Sequence, residues 1–222
     1  MRRVFCGLIL ALCAVVWAQD VHPITGRRYP GTMSADMAAW LSRPEREDEE
    51  QPDEALKAIG IAKGSTVADI GAGSGAITWR LAQRVGPTGK VYANDFQPRM
   101  LDLLRQNMAQ RKIDNVEVVL GTADDPKLPA AGIDLELMID VYHELSHPQE
   151  MLRHLRDSLK PDGRMVLLEY RAEDPAVRVP PGHKMTVDMV KAEVDPEGFH
   201  LDQTIEILPL QHIIIFKKNA PH

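Results

Sequence analysis

The chain has 222 residues, a net charge of −6 and two cysteines, Cys6 and Cys13. With no basic stripe to meet a phosphate backbone, nucleic acid is excluded as a partner. Both thiols lie in an apolar leader, so the rest of the chain can build neither a disulfide nor a cysteine-ligated metal centre.

That leader, MRRVFCGLILALCAVVWA at residues 1–18, starts with Arg2 and Arg3, runs apolar from Val4 to Trp17 and ends in the small-x-small site Val16-Trp17-Ala18. This is the pattern of a secretory signal peptide cleaved after Ala18. An uncleaved anchor is the alternative, although about 14 apolar residues fall short of the roughly 20 that span a bilayer. The expectation is an exported protein, periplasmic or extracellular, or one tethered to the membrane by its N-terminus. About 200 residues remain, enough for one domain with a full core. Residues 19–53 read as an arm with cap helices. Pro23, Gly26, Pro30 and Gly31 interrupt any periodicity, and short helices at Asp36–Leu41 and Pro52–Ile59 flank the charge run Glu45-Arg46-Glu47-Asp48-Glu49-Glu50, read as a solvated helical face.

Residues 54–218 read as the main domain. Short β-branched runs at Thr66–Ile70, Lys90–Asn94, Val116–Leu120, Ile133–Asp140 and Gly163–Tyr170 alternate with amphipathic ones at Ala76–Val85, Pro98–Arg111 and Pro148–Leu159. Strands joined by crossover helices predict an α/β domain with a mostly parallel sheet covered on both faces. After a helix at Thr186–Val194, strands at His200–Leu208 and His212–Lys218 are separated by Pro209-Leu210-Gln211, too short for a crossover helix, so the last pair is an antiparallel hairpin.

The first strand ends in VADIGAGSG, residues 67–75, ahead of a helix. Glycines there allow a tight turn and close approach of a ligand to the helix N-terminus. With Ala76 the run also satisfies the looser G-x-G-x-x-G/A dinucleotide fingerprint, so the glycines alone do not choose the ligand. Asp69, a carboxylate in an apolar strand, asks for a cationic partner. Asp95 closes the second strand where an acid can accept both hydroxyls of a ribose, and Phe96 beside it can lie against a base. Thr122, Ala123 and Asp124 follow the third strand.

These motifs in order, VADIGAGSG, VYANDFQP and LKPDGRMVLLEY with a terminal strand hairpin, resemble the class I S-adenosylmethionine-dependent methyltransferases over residues 54–218. The resemblance implies a Rossmann-like fold with a seven-stranded sheet of order 3-2-1-4-5-7-6, strand seven antiparallel, and S-adenosyl-L-methionine as cofactor. It implies that Asp69, Gly71, Ala72, Gly73 and Gly75 form the methionine-binding loop, that Asp95 is the ribose acid with Phe96 near the adenine, and that the adenine contact comes from among Thr122, Ala123 and Asp124. The segment GTADDPKLP is longer than the family's usual form at that point.

HELSH, residues 143–147, matches the zinc-protease signature H-E-x-x-H, which needs both histidines on one helical face. Pro148 belongs in a first helical turn, and Ser146 with Gln149 spells a capping box, so the helix starts near Ser146 and leaves His143 outside it. No zinc is expected there. The family commonly carries apolar-apolar-His-x-Leu-x-x-Pro at this point, so the stretch reads as a substrate-side loop, with Asp140 and His143 as candidate catalytic groups and Asp140 also within reach of the cofactor. Glu169, Arg171 and His183-Lys184-Met185 are expected to rim the pocket. A metal between Asp140 and Glu169 is not expected, since metal-using members of the family carry a fuller acidic set. The expected function is methyl transfer to a small-molecule acceptor. A nicotinamide oxidoreductase and a noncatalytic nucleotide-binding module are the alternatives. The sequence names neither the acceptor nor the oligomeric state.

Overall fold

The computed structural model describes residues 21–220; the leader lies outside them. Among the described residues no helix is long and apolar enough to cross a membrane. After a 3-10 helix at Ala35–Ser42, the elements in chain order are α1 (Arg46–Glu49), α2 (Pro52–Ile59), β1 (Thr66–Ile70), α3 (Thr78–Val85), β2 (Lys90–Asp95), α4 (Pro98–Gln110), β3 (Val116–Leu120), β4 (Ile133–Ile139), α5 (Pro148–Ser158), β5 (Leu159–Arg171), β6 (Lys184–Met185), α6 (Val187–Val194), β7 (Phe199–Ile205) and β8 (Gln211–Lys218). The sheet runs β3-β2-β1-β4-β5-β8-β7, with the two-residue β6 beside β5. β1 to β5 are parallel neighbours, and β8 is antiparallel to both β5 and β7. The expected order is therefore present once β6, which has no counterpart in the sequence reading, is set aside.

Alternation along each strand divides the core between the two faces. Ile214 and Phe216 of β8 join Ile70, Met138 and Leu167 under α5 and α6, while Ile213 and Ile215 join Val67, Leu137 and Val166 under α2 and α3. Two local expectations change. β5 begins at Leu159, four residues before Gly163, with a register shift against β4 between Ile133 and Leu135. The Ser146 capping box does not form: the N-cap is His147, whose Nδ1 faces Ser146 Oγ at 3.0 Å, and Pro148 opens α5. Proline at that position presets φ and has no N–H to cap, which removes part of the need for one.

The arm is irregular, as expected, but it is not loose. Val21 and Arg28 form an antiparallel bridge, and Arg27 then inserts between the body's own elements. Its Nε lies 2.9 Å from Glu193 Oε1 and its Nη2 3.0 Å from Oε2, while Nη1 donates to the carbonyl of His143 at 2.7 Å. Glu193 is fully buried on α6, where Thr25 also donates to it. Burying that carboxylate requires the arm to bring its cation.

Arg27→Ala is therefore expected to destabilise the chain by about 3 to 5 kcal/mol in urea unfolding, because Glu193 stays buried without its partner. Replacing both residues with apolar ones, Arg27→Met with Glu193→Leu, is expected to recover most of that loss. A single variant as stable as the parent would show that the arm is not held by this pair.

Candidate active site

The carboxyl ends of the parallel strands form the floor of the site, as expected for an open α/β sheet. After β1 the chain turns through Gly71 and Gly73, at φ 68° and 55°. A Cβ at Gly71 would lie 2.6 Å from the Val141 side chain, and one at Gly73 would lie 2.9 Å from Leu41 of the arm. The loop is thus threaded between the end of β4 and the arm, with space only for glycine. Gly71 and Gly73 border the cleft. Ala72 is buried and donates its N–H to Asn94, and Gly75 packs on Leu104 and Met108 of α4, so both support the loop from behind.

Asp95, at the end of β2, holds the loop in place. Its Oδ2 accepts the Gly73 N–H at 3.0 Å and its Oδ1 the Gln97 N–H at 2.8 Å. Burial raises its pKa against the pull of those amides. Asp69 lies a layer deeper, 4% exposed, and accepts a hydrogen bond from Thr78 Oγ1 at 2.6 Å. Burial pushes its carboxyl up to about 7, opposed by Thr78 and by the nearby Arg46 guanidinium. Phe96 is exposed on the cleft wall, and Thr122 and Ala123 border the same cleft. Asp124 is exposed and accepts from the Thr122 hydroxyl at 2.6 Å.

Across from the glycine loop, Asp140 follows β4 in the left-handed region at φ 55°. Gln211 Nε2 donates to both its oxygens, at 2.8 and 2.9 Å, and Arg46 Nη2 stands 4.0 Å away. Burial, Glu50 and Glu169 together raise its pKa, with Arg46 opposing them. Arg46 and Glu50 are the main correction to the sequence reading, because the run that contains them is not simply a solvated face. Both are buried and paired with each other, and Glu50 also accepts from Tyr170 OH at 2.9 Å and from Arg43 at 3.0 Å. Their i, i+4 spacing with opposite charge was visible; that the shared face turns inward was not.

His143 sits in a 3-10 turn, Tyr142–Glu144, and is 2% exposed. Its Nδ1 is 2.5 Å from Glu169 Oε2, and its Nε2 is 3.1 Å from His183 Nδ1. Burial alone would lower the imidazole, but the adjoining Glu169 overrides it and raises the pKa. Burial and the His143 ring lower that of His183. His147 is exposed at the start of α5 and takes no part in this cluster. Of the residues expected on the rim, His183 is there and Glu169 stands behind His143. Arg171 instead pairs with Glu206 and donates to the Leu208 and Pro209 carbonyls, Lys184 donates to the Val177 carbonyl, and Met185 is core.

Comparison with known proteins bears on the family and the fold. A family model described as a methyltransferase domain matches residues 61–206. A ubiquinone/menaquinone biosynthesis C-methyltransferase of Ectopseudomonas mendocina is 31% identical over 116 residues, 52% of this chain and 45% of that one. An arsenite methyltransferase of Halobacterium salinarum is 31% identical over 161 residues, 67% of this chain and 40% of that one. The chain thus spans less than half the length of these two relatives. A solved S-adenosylmethionine-dependent methyltransferase from Aquifex aeolicus superposes with a TM-score of 0.79 at 26% identity, over 83% of this chain and 98% of that one. With the strand order, the glycine loop and the acid that ends β2 all in place, the chain belongs to the class I S-adenosylmethionine-dependent methyltransferase family.

Proposed function

We propose that the chain binds S-adenosyl-L-methionine against the glycine loop and transfers its methyl group to a small-molecule acceptor held under the N-terminal arm. One observation carries this reading. A single cleft of about 1080 Å³ runs from Gly71, Gly73 and Asp95 to His143 and His183, above the roughly 300 to 1,000 Å³ usual for one ligand.

The residues present suit the cofactor. Each Asp95 oxygen that accepts a backbone amide keeps a second lone pair for a ribose hydroxyl. Asp69 is a buried carboxylate with a hydroxyl partner, an environment that a cationic methionine moiety above the loop would improve. When bound, S-adenosylmethionine supplies an already activated methyl group, so alignment and exclusion of water are the protein's main tasks. Met37 and Trp40 of the arm and Phe96 after β2 line the cleft and suit an acceptor with an apolar body. The acceptor named for the arsenite relative suits it less, because residues 21–220 contain no cysteine and soft centres select thiolates. Asp140, fixed by Gln211, and His143, fixed by Glu169, present the acceptor side. The leader read at residues 1–18 supports export or a membrane tether, which makes periplasmic extract the acceptor source to try first.

Calorimetry is expected to show binding of S-adenosylmethionine and none of NAD. Asp95→Ala is expected to weaken the former about 10- to 100-fold, the value of one or two charge-assisted hydrogen bonds. Preference for NAD, or an unchanged affinity in folded Asp95→Ala, would overturn the cofactor assignment.

Asp69 supplies a separate pH test. A carboxyl raised to about 7 from its ordinary 3.8 favours folding at low pH, and that contribution is lost as the pH rises through the folded value. Asp69→Asn should therefore gain stability relative to the parent between about pH 5 and pH 8, on the order of 2 kcal/mol, while binding S-adenosylmethionine more weakly. A pH-independent difference in urea midpoint would show that Asp69 is not held in this way. With an acceptor in hand, His143→Ala is expected to lower turnover by about 100-fold or more and to leave cofactor affinity within about threefold. Turnover close to that of the parent would remove His143 from the acceptor side.

A further inference from the structure

The letters of HELSH suggest zinc held between His143 and His147, an arrangement the fold does not build. Two of the same letters meet a different partner. The Pro181–His183 turn brings His183 over the His143 loop, so that His143, Glu144 and His183 offer three ligand atoms within 4.8 Å of one another at the edge of the cleft. We infer that His143 Nε2, His183 Nδ1 and a Glu144 carboxylate oxygen form a site for one divalent transition-metal ion of the zinc class at the acceptor end of the cleft.

Three features support this assignment. The first is distance. Two nitrogens bound to one tetrahedral ion at roughly 2.0 to 2.1 Å stand about 3.3 Å apart, and the two ring nitrogens face each other at 3.1 Å. Glu144 Oε1 is 3.9 Å from His183 Nδ1, a separation that an ion bound to both would draw in to about 3.3 Å.

The second is orientation. His143 Nδ1 meets the fully buried Glu169, which also accepts the His143 backbone N–H at 3.3 Å. A carboxylate behind the far nitrogen fixes the ring so that Nε2 presents its lone pair forward, the outer-shell arrangement common to metal-bound histidines. The space between Nε2 and Nδ1 then holds either one shared proton or one metal ion, and metal binding releases the proton.

The third is rigidity. Arg27 grips the His143 carbonyl at 2.7 Å, and Tyr142 beside it is wholly buried, so the loop holds its geometry without an ion.

Three protein ligands leave a coordination position open toward the cleft, as in catalytic rather than structural sites. An acceptor bearing a hydroxyl or enol oxygen is the ligand class that fits, since coordination lowers the pKa of such an oxygen and prepares it as a nucleophile. That choice of acceptor rests on the methyltransfer reading above. The metal site does not, because it depends only on the three side chains.

The test uses the full chain without a histidine tag, stripped with chelator and titrated with Co²⁺ as a spectroscopic probe. The expected result is saturation at one equivalent, with visible d–d bands that one equivalent of Zn²⁺ abolishes. Glu144→Gln and His183→Ala should lose the saturable site, Glu169→Gln should weaken it about 10- to 100-fold, and His147→Ala should leave it intact. Zn²⁺ should raise the thermal midpoint of the parent and not that of His183→Ala, which separates loss of the site from loss of the fold. Absence of saturable binding in the parent, or parent-like binding in folded His183→Ala, overturns the proposal. Failure of S-adenosylmethionine to bind would leave the metal result standing and would count only against the cofactor reading.

Discussion

The architecture depends on how carboxylates are kept at the carboxyl edge of a parallel sheet with little water around them. Asp69, Asp95, Asp140 and Glu169 end or nearly end four successive strands across the sheet, and all but Asp140 are buried side chains. An uncompensated carboxylate in such a place is costly. Part of the compensation comes from the body, through the Gly73 and Gln97 amides, Thr78 and Gln211. Positive charge comes largely from the arm. Arg46 stands between Glu50 and Asp140, and Arg27 neutralises Glu193 while gripping the His143 loop.

This division of labour explains why a segment with little periodicity has a definite place. The arm buries few large apolar side chains, a small cluster of Ala35, Ala38 and Leu41 on Met100 being its main hydrophobic anchor. Its position is specified by ion pairs and by Gln97, which donates to the Met33 carbonyl at 2.9 Å. The same contacts roof the cleft. Compensation is incomplete at Asp69 and Asp140, whose carboxyls remain raised because burial and neighbouring acids outweigh the cations present. A site that holds acids in this state is suited to a positively charged ligand, and this links the electrostatics of the fold to the proposed cofactor.

The His143 cluster shows the same principle on a smaller scale. Glu169 is tolerated at zero exposure because His143 lies against it, and that contact sets which way the imidazole points. The other ring nitrogen is thereby aimed at His183 and Glu144. A contact that satisfies a buried acid also assembles a donor set, so packing and chemistry at this loop cannot be varied independently.

The sequence alone determined the class of fold, the strand order implied by its family resemblance, the glycine loop with Asp69 and Asp95, and the exclusion of a shared helix for His143 and His147. The strand order came through the resemblance; the other features are local in sequence: periodicity, a turn-forming run and a proline that restricts where a helix can begin. Tertiary structure decided the rest. Arg27 meets Glu193 across 166 positions, Arg46 meets Asp140, and His183 meets His143 across 40. No spacing rule encodes such pairs, because each depends on how the arm and the loop after β5 fold back over the strand ends. For the same reason the run at residues 45–50 read as solvent-facing. Its charges are those of a surface helix, and only the acids and the Tyr170 hydroxyl around Arg46 and Glu50 make their burial favourable.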